Sequence, residues 1–318
     1  MKIALIGYGN VGRALARLLA RKRGEFPFTI TGIHTLRHGT AVDPAGLPDA
    51  PPFGPRADSI EAFLDGARAD TAVELTTLDP STGEPALSHI RAAFARGMHV
   101  VTANKGPLAH AYADLRDAAS AAGVGFRFES AVMDGAPVFN LWRHAMPGVK
   151  LLGFAGVLNS TSKVIVEAME RGGSFEDGLA AARAMGITEA DGAYDVEGWD
   201  SAAKTAALAN VLMDARVTPR QVSTRGIGRL TPERVREMAR QGKTVRLISR
   251  ARRTGSGVAL RVRAEVLDRA DLLAAVRGTS NAILFHTDLM GTFGTVSIDP
   301  GVEQTAYGVF SDLVDLGS

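Results

Sequence analysis

The stretch Lys2-Ile3-Ala4-Leu5-Ile6-Gly7-Tyr8-Gly9-Asn10-Val11-Gly12 decides the fold. Its first five residues form a short apolar run of the kind that makes a buried strand, and from Val11 to Arg21 apolar residues recur at helical spacing. The glycines at 7, 9 and 12 therefore stand on a strand-to-helix turn. There the first glycine permits the tight turn, the second lets the backbone approach a pyrophosphate, and the third lets helix and strand pack closely. The helix N-terminus adds N–H groups and a partial positive charge. An ordinary turn could carry the same glycines, so the weight lies in the strand before them and the helix after. Gly7, Gly9, Asn10, Val11 and Gly12 are the first candidate cofactor-binding residues.

Outward from this turn, Phe28–Ile33, Thr71–Leu75, His99–Thr102 and Gly125–Phe128 read as further buried strands, and Glu84–Arg96 and Leu108–Ala122 as helices. Strand–helix alternation implies right-handed crossovers and a parallel sheet covered on both faces. After about residue 130 the rhythm changes: a strand at Lys150–Leu158, helices at Thr161–Arg171, Phe175–Met185 and Asp200–Met213, then strands at Thr244–Ala251 and Val258–Val266. Those last two alternate apolar residues with arginine, as antiparallel strands with one wet face do. The expected fold class is α/β: an N-terminal Rossmann-type doubly wound parallel sheet over residues 1–130, completed by a C-terminal helix at 301–318. A second α+β domain for substrate and dimerisation covers 131–300.

The composition narrows the chemistry. The chain has 318 residues, 36 Lys+Arg against 34 Asp+Glu, 46% hydrophobic residues and no cysteine. A net charge of +2, mixed along the chain, is no basis for nucleic-acid binding. Arg246, Arg250, Arg252, Arg253, Arg261 and Arg263 cluster locally and read as solvated strand faces. No apolar run approaches the roughly 18 residues of a membrane span, and the N-terminus lacks an export-signal pattern, so a cytoplasmic protein is expected. Without cysteine there are no disulfides, thiolate metal sites or thiol nucleophiles.

The cofactor fingerprint expects an acid at the end of the second strand to hold the ribose 2′-hydroxyl of NAD. Here that segment reads Gly32-Ile33-His34-Thr35-Leu36-Arg37-His38, with no carboxylate before Asp43. An arginine just past the strand suits a 2′-phosphate, so NADP is preferred over NAD, with Arg37 as its contact; an Arg37 that is merely exposed would leave either cofactor usable. His34 and His38 lie at a strand end where their spacing does not align them as a metal pair. Lys105, in Val100-Val101-Thr102-Ala103-Asn104-Lys105-Gly106-Pro107-Leu108, stands at the C-terminal end of a strand, where ligands sit in open α/β sheets; in isolation it reads as a loop residue. Five carboxylates fall within the twelve residues from Glu189 to Asp200, and Asp200 and Lys204 share a helix face at i, i+4. Alone such a pair is commonly a surface salt bridge. The alanine-rich rest of the helix turns this one toward a cleft.

These residues together resemble homoserine dehydrogenase. The resemblance rests on Gly7–Gly12, Val73-Glu74-Leu75-Thr76-Thr77, Thr102-Ala103-Asn104-Lys105-Gly106-Pro107-Leu108, Glu129-Ser130-Ala131-Val132, Gly186–Lys204 and Thr305-Ala306-Tyr307-Gly308-Val309, and it spans the chain in the family's order. It implies NAD- or NADP-dependent interconversion of L-homoserine and L-aspartate 4-semialdehyde, in threonine, methionine and isoleucine biosynthesis. By matching position it implies Lys105 and Lys204 as active-site lysines, Glu189 for the substrate amino group, Asp200 and Asp195 as substrate contacts, and Thr76 near the nicotinamide. It also implies a sodium ion on backbone oxygens of Glu129, Val132, Asp134 and Ala136, a homodimer formed through the sheet of the second domain, and a cofactor contact at Gly301. Three stretches depart from the family pattern: Asn159-Ser160-Thr161-Ser162-Lys163-Val164 loses a glycine and gains a lysine, Asp299-Pro300-Gly301-Val302-Glu303 shortens a glycine-rich loop, and Gly192 replaces a proline.

With no cysteine and no histidine in the shared motifs, the base is expected to be lysine; burial beside a second cation lowers an ammonium's pKa toward the working range. Lys204 is assigned proton transfer and Lys105 polarisation of the same oxygen, and the two roles are interchangeable on sequence alone. The alternatives are an idle dinucleotide-binding sensor, or a dehydrogenase of another small hydroxy amino acid. A phosphorylating semialdehyde dehydrogenase is excluded, because it needs a thiol. The two domains are expected to use up the 318 residues, leaving no room for the regulatory domain of longer relatives and no threonine inhibition through it.

Overall fold

The computed structural model describes residues 1–77, 79–188 and 192–317. Two compact units make up the chain: Met1–Asn140 with Gly301–Ser318, and Leu141–Pro300. The first therefore extends past residue 130, and the reason is local. The Glu129 N–H donates to Asp312 Oδ2 at 2.7 Å and Ser130 Oγ to the Thr305 carbonyl at 2.7 Å, which ties this segment to the C-terminal helix.

The first unit runs β1 (Lys2–Ile6), α1 (Asn10–Arg21), β2 (Thr29–Thr35), β3 (Gly39–Val42), α2 (Ile60–Ala67), β4 (Thr71–Glu74), α3 (Ala86–Phe94), β5 (His99–Thr102), α4 (Lys105–Ala121) and β6 (Phe126–Arg127). Sheet order is β3-β2-β1-β4-β5-β6. Every pairing is parallel except β2 with β3. The order reverses at β1, so the switch point of this doubly wound sheet lies between β1 and β4, beside the glycine turn. The β2–β3 hairpin and α2 are absent from the sequence reading. Thr35 makes the hairpin, accepting from the His38 N–H at 2.7 Å and donating to the Gly39 carbonyl at 3.2 Å, and such a side-chain-built turn lacks the usual Asn-Gly signature. The C-terminal helix, Val302–Leu316, buries Ala306, Val309, Phe310 and Leu313 with Leu15, Leu18 and Leu19 of α1. Phe310 meets Phe26 and Phe28 edge-on, with centroids 5.2 and 6.0 Å apart.

A short helix, α5 (Phe139–Ala145), leads into the second unit: β7 (Leu151–Val157), α6 (Ser160–Glu170), α7 (Phe175–Ala184), α8 (Gly192–Val196), α9 (Trp199–Met213), β8 (Ser223–Arg225), α10 (Pro232–Arg240), β9 (Lys243–Thr254), β10 (Gly257–Asp268), β11 (Asn281–Thr287) and β12 (Thr292–Ser297). Its sheet is ordered β12-β11-β7-β9-β10-β8 and is antiparallel apart from the β8–β10 edge. Helix α9 packs on β9 and β10, and its Ala202, Ala203, Ala206 and Ala207 are fully buried, small side chains that allow close approach of neighbouring elements. One expectation is corrected here: Arg246 is not on a wet face. It is 2% exposed, and its guanidinium donates to the carbonyls of Val276 (3.1 Å) and Ala274 (3.1 Å), satisfying a loop that carries no ladder of its own. Arg250 pairs with Glu265 at 2.7 Å.

Candidate active site

The chemistry-bearing residues fall into two groups, one in each unit. In the first unit Gly7 has φ +103°, and its N–H donates to the His34 carbonyl at 2.9 Å, locking the turn to the end of β2. A Cβ on Gly7 would stand 2.6 Å from the Leu75 carbonyl oxygen, so only glycine fits. At Gly9 the reverse holds: a Cβ there meets nothing within 4 Å. That open space lies at the N-terminus of α1, whose first turn, with exposed Asn10 and half-buried Val11, carries no acid. Exposed backbone, an unopposed positive helix end and room for a diphosphate together fit a dinucleotide.

Glu74, at the end of β4, organises the neighbouring loops. It is 1% exposed and accepts from the Thr76 N–H (2.8 Å), Thr76 Oγ1 (2.5 Å), Thr102 Oγ1 (2.8 Å) and Asn104 Nδ2 (2.6 Å). Burial pushes its carboxyl pKa up, against the lowering effect of those donors. The Asn104 amide also donates to the Thr76 carbonyl at 3.0 Å. One carboxylate thus holds half-buried Thr76 and the Asn104 N-cap that precedes Lys105. Lys105 itself opens α4, so it belongs to a helix's first turn and not to a loop ending at Leu108. Pro107 fits there because a first-turn residue needs no N–H donor.

At the end of β2, His34 Nδ1 lies 2.8 Å from Thr40 Oγ1, and the His38 ring lies tilted against Phe53 with centroids 6.0 Å apart. Burial, then the Arg56 charge, pushes the His34 pKa down. The nearest downstream acids are engaged elsewhere: Asp43 accepts from the Ala45 N–H (2.8 Å), and Asp49 pairs with Arg23 (3.1 Å). A cavity of about 1060 Å³ opens here, walled by Tyr8, Arg13, Arg17, Ile33, His38 and Phe53 among others. Arg37 is exposed on the adjoining turn and does not line it. Gly301 caps the C-terminal helix, and its N–H donates to Gln304 Oε1 at 3.1 Å.

The segment expected to hold sodium turns tightly: Glu129–Ala131 is a 3-10 turn, Asp134 has φ +56°, and the Ala136 N–H donates to the Met133 carbonyl at 3.0 Å. The Glu129 carboxylate is used structurally, accepting from the N–H groups of Val138 (2.5 Å), Phe139 (3.0 Å) and Asn140 (2.5 Å) at the start of α5. Val132 is buried and Ala136 half-buried. Among the described residues no cluster of three His, Asp or Glu side chains is placed to hold a metal.

In the second unit the junction of β7 and α6 gathers the acidic and basic groups. Lys204 Nζ donates to the Leu158 carbonyl at 2.7 Å and pairs with Asp200 Oδ2 at 3.1 Å. Asp200 and Asp195 are 4% and 3% exposed, so this is a buried pair and not a surface salt bridge. Asn159 Nδ2 donates to Asp195 Oδ1 at 2.7 Å and to Asp200 Oδ2 at 3.1 Å. Asp195 lies on α8, a helical turn within what reads from sequence as a loop. Glu189 lies outside the described residues. Sequence reading assigned no role to Glu74 or Asn159. The signal for Glu74 is a carboxylate closing an apolar strand; Asn159 shows only as a helix cap.

A family model described as homoserine dehydrogenase matches residues 137–314, and one described as the homoserine dehydrogenase NAD binding domain matches residues 7–129. The chain belongs to the homoserine dehydrogenase family. An "NAD(+)-dependent homoserine dehydrogenase" of Pseudomonas canavaninivorans is 36% identical, over 99% of this chain and 96% of that protein. A homoserine dehydrogenase of Methanocaldococcus jannaschii is 34% identical, over 99% and 98%. Among solved structures, that of the "Putative Homoserine Dehydrogenase" of Archaeoglobus fulgidus superposes with TM-score 0.88 at 30% identity over 99% and 98% of the two chains. A hyperthermophilic archaeal homoserine dehydrogenase in complex with NADPH superposes with TM-score 0.85 at 25% identity over 99% and 97%. The family's reaction interconverts L-homoserine and L-aspartate 4-semialdehyde, which makes this chain an oxidoreductase that binds a nicotinamide dinucleotide. Among the described residues no helix is long and apolar enough to cross a membrane.

Proposed function

We propose that the chain interconverts L-homoserine and L-aspartate 4-semialdehyde with NADP, and that Lys204 is the proton-transfer group. The observation that carries the assignment is the ammonium of Lys204, fixed between a buried carboxylate and a strand-end carbonyl on a rigid, alanine-packed helix. A bound nicotinamide supplies the hydride acceptor. In its neutral amine form Lys204 takes up the hydroxyl proton during oxidation, and the ammonium so formed, held by Asp200, returns it during reduction. Lys105 polarises the substrate oxygen, Glu189 pairs with the substrate ammonium, and Asp195 anchors the acidic loop.

The preference for NADP is supported by what surrounds the end of β2: Arg37 and His38 on the turn, Arg13 and Arg17 along the cavity wall, and no carboxylate on the strand end itself, the nearest one on the wall being Asp49, paired with Arg23. The relative named NAD(+)-dependent makes NAD the competing reading. Arg37→Ala is expected to raise KM for NADP about tenfold and leave KM for NAD unchanged, the loss of one charge-assisted hydrogen bond. Equal effects on both cofactors in steady-state assays would overturn the 2′-phosphate assignment. Sodium on carbonyl oxygens of Glu129, Val132, Asp134 and Ala136 belongs to the same proposal, supported by the tight backbone turns there.

We also propose a homodimer through the sheet of the second unit. Val296 on β12 and Ile298 just past it are 58% and 72% exposed, apolar side chains at the β12 edge of this sheet that suit a partner. Light scattering is expected to give twice the monomer mass; the monomer mass at micromolar concentration would refute the dimer.

A further inference from the structure

We infer that Asn159 is a positioning residue: its amide clamps Asp195 and Asp200 to one point and so sets the carboxylate that holds Lys204. The inference rests on the homoserine reading above for the meaning of that lysine, but its geometry is independent of it. Asn159 is 2% exposed and saturated. Its Oδ1 accepts from the Ser162 N–H at 2.8 Å, capping α6, and the two protons of Nδ2 go one to each aspartate, at 2.7 and 3.1 Å. Its carbonyl accepts from Ser162 Oγ at 3.0 Å and from Lys163 Nζ at 3.3 Å.

Two buried carboxylates repel, and a neutral amide with two donors is the group that joins them without adding charge. Asp195 stands on α8 and Asp200 on α9, so the amide ties the acidic loop to the catalytic helix through the cap of a third helix, α6. Lys163, the lysine that departs from the family pattern, finds its use here. At 1% exposure its ammonium reaches the Asn159 carbonyl and Asn281 Oδ1, both at 3.3 Å, anchoring Asn159 to β11. Lys204 donates to the carbonyl of Leu158, the preceding residue. The side-chain nitrogens of Lys163 and Lys204 thus bracket consecutive peptides at the end of β7, beside Asp195 and Asp200.

The test separates capping from clamping. Serine caps a helix about as well as asparagine but has no pair of amide protons. In Asn159→Ser the α6 cap is kept but each buried aspartate loses a donor, so the thermal midpoint is expected to fall, kcat with homoserine to fall at least about tenfold, and KM for the cofactor to stay unchanged. Amide exchange at residues 192–198 is expected to quicken while that of α7 does not. In Asn159→Asp a third carboxylate faces the two aspartates, and kcat falls further. Adding Asp195→Asn to it exchanges the amide and the acid and restores their charge complement, so kcat is expected to recover at least severalfold over Asn159→Asp alone.

Wild-type kcat in Asn159→Ser, or a double variant whose losses simply add, would overturn the clamp. A wild-type protein that does not turn over homoserine would refute the substrate reading. The exchange measurement would still decide the clamp, since unchanged protection at residues 192–198 in Asn159→Ser rejects it.

Discussion

Lys204→Ala is expected to lower kcat for homoserine oxidation by at least about 100-fold, the low end for loss of a general acid or base. KM for the cofactor should barely move, because the cofactor-binding residues belong to the other unit. The substitution also strips Asp200, 4% exposed, of the Lys204 ammonium, so some loss of stability is expected with the loss of activity. Activity must therefore be compared on protein shown to be folded by circular dichroism. Lys204→Gln, which keeps a donor for Asp200 and the Leu158 carbonyl, provides the check: stability returns but kcat does not. Wild-type kcat in a folded Lys204→Ala protein would remove the lysine from the chemistry and leave it a structural role.

Much of this arrangement is legible in the sequence because it depends on local pattern. A glycine turn between an apolar strand and an amphipathic helix has one economical geometry, and the structure places Gly7 and Gly9 as that geometry requires. The pair Asp200 and Lys204 follows from helix periodicity, and its burial from the alanines around it. What escapes is what depends on residues distant in sequence. The β2–β3 hairpin hangs on one threonine hydroxyl. Arg246 sits in a strand that alternates like its wet neighbours, and only the carbonyls of Ala274 and Val276, about thirty residues away, make it a buried one. Asn159 meets Asp195 and Asp200 across 36 and 41 residues, a separation that no short-range pattern reports. Glu189, the residue expected on the substrate ammonium, lies outside the described residues, so its role rests on the resemblance alone.

Glu74→Ala is expected to destabilise the first unit by about 3 kcal/mol or more and to weaken cofactor binding with it. The carboxylate is buried and takes four donor contacts, from the Thr76 N–H and hydroxyl, the Thr102 hydroxyl and the Asn104 amide. Removing it strands the buried Thr102 hydroxyl and the part-buried donors of Thr76 and Asn104, a buried donor costing roughly 1–3 kcal/mol unless water replaces the acceptor. Those donors sit on the two loops after β4 and β5, which carry Thr76 and lead into Lys105, so loss of register there should raise the cofactor Kd even in protein that remains folded. Glu74→Gln keeps the shape and one acceptor oxygen, and should fall between wild type and alanine. Its comparison with wild type also carries a pH signature. Burial raises the carboxyl pKa in the folded state, so the folded protein holds its proton more tightly than the unfolded chain does. That contribution to stability is complete below the unfolded value of about 4.3 and is lost as pH rises through the folded value. The stability advantage of wild type over Glu74→Gln should therefore shrink as pH rises above the unfolded value, as read by urea unfolding. An advantage that grows with pH would mean that the four donors outweigh burial, and that Glu74 works as a fully charged clasp.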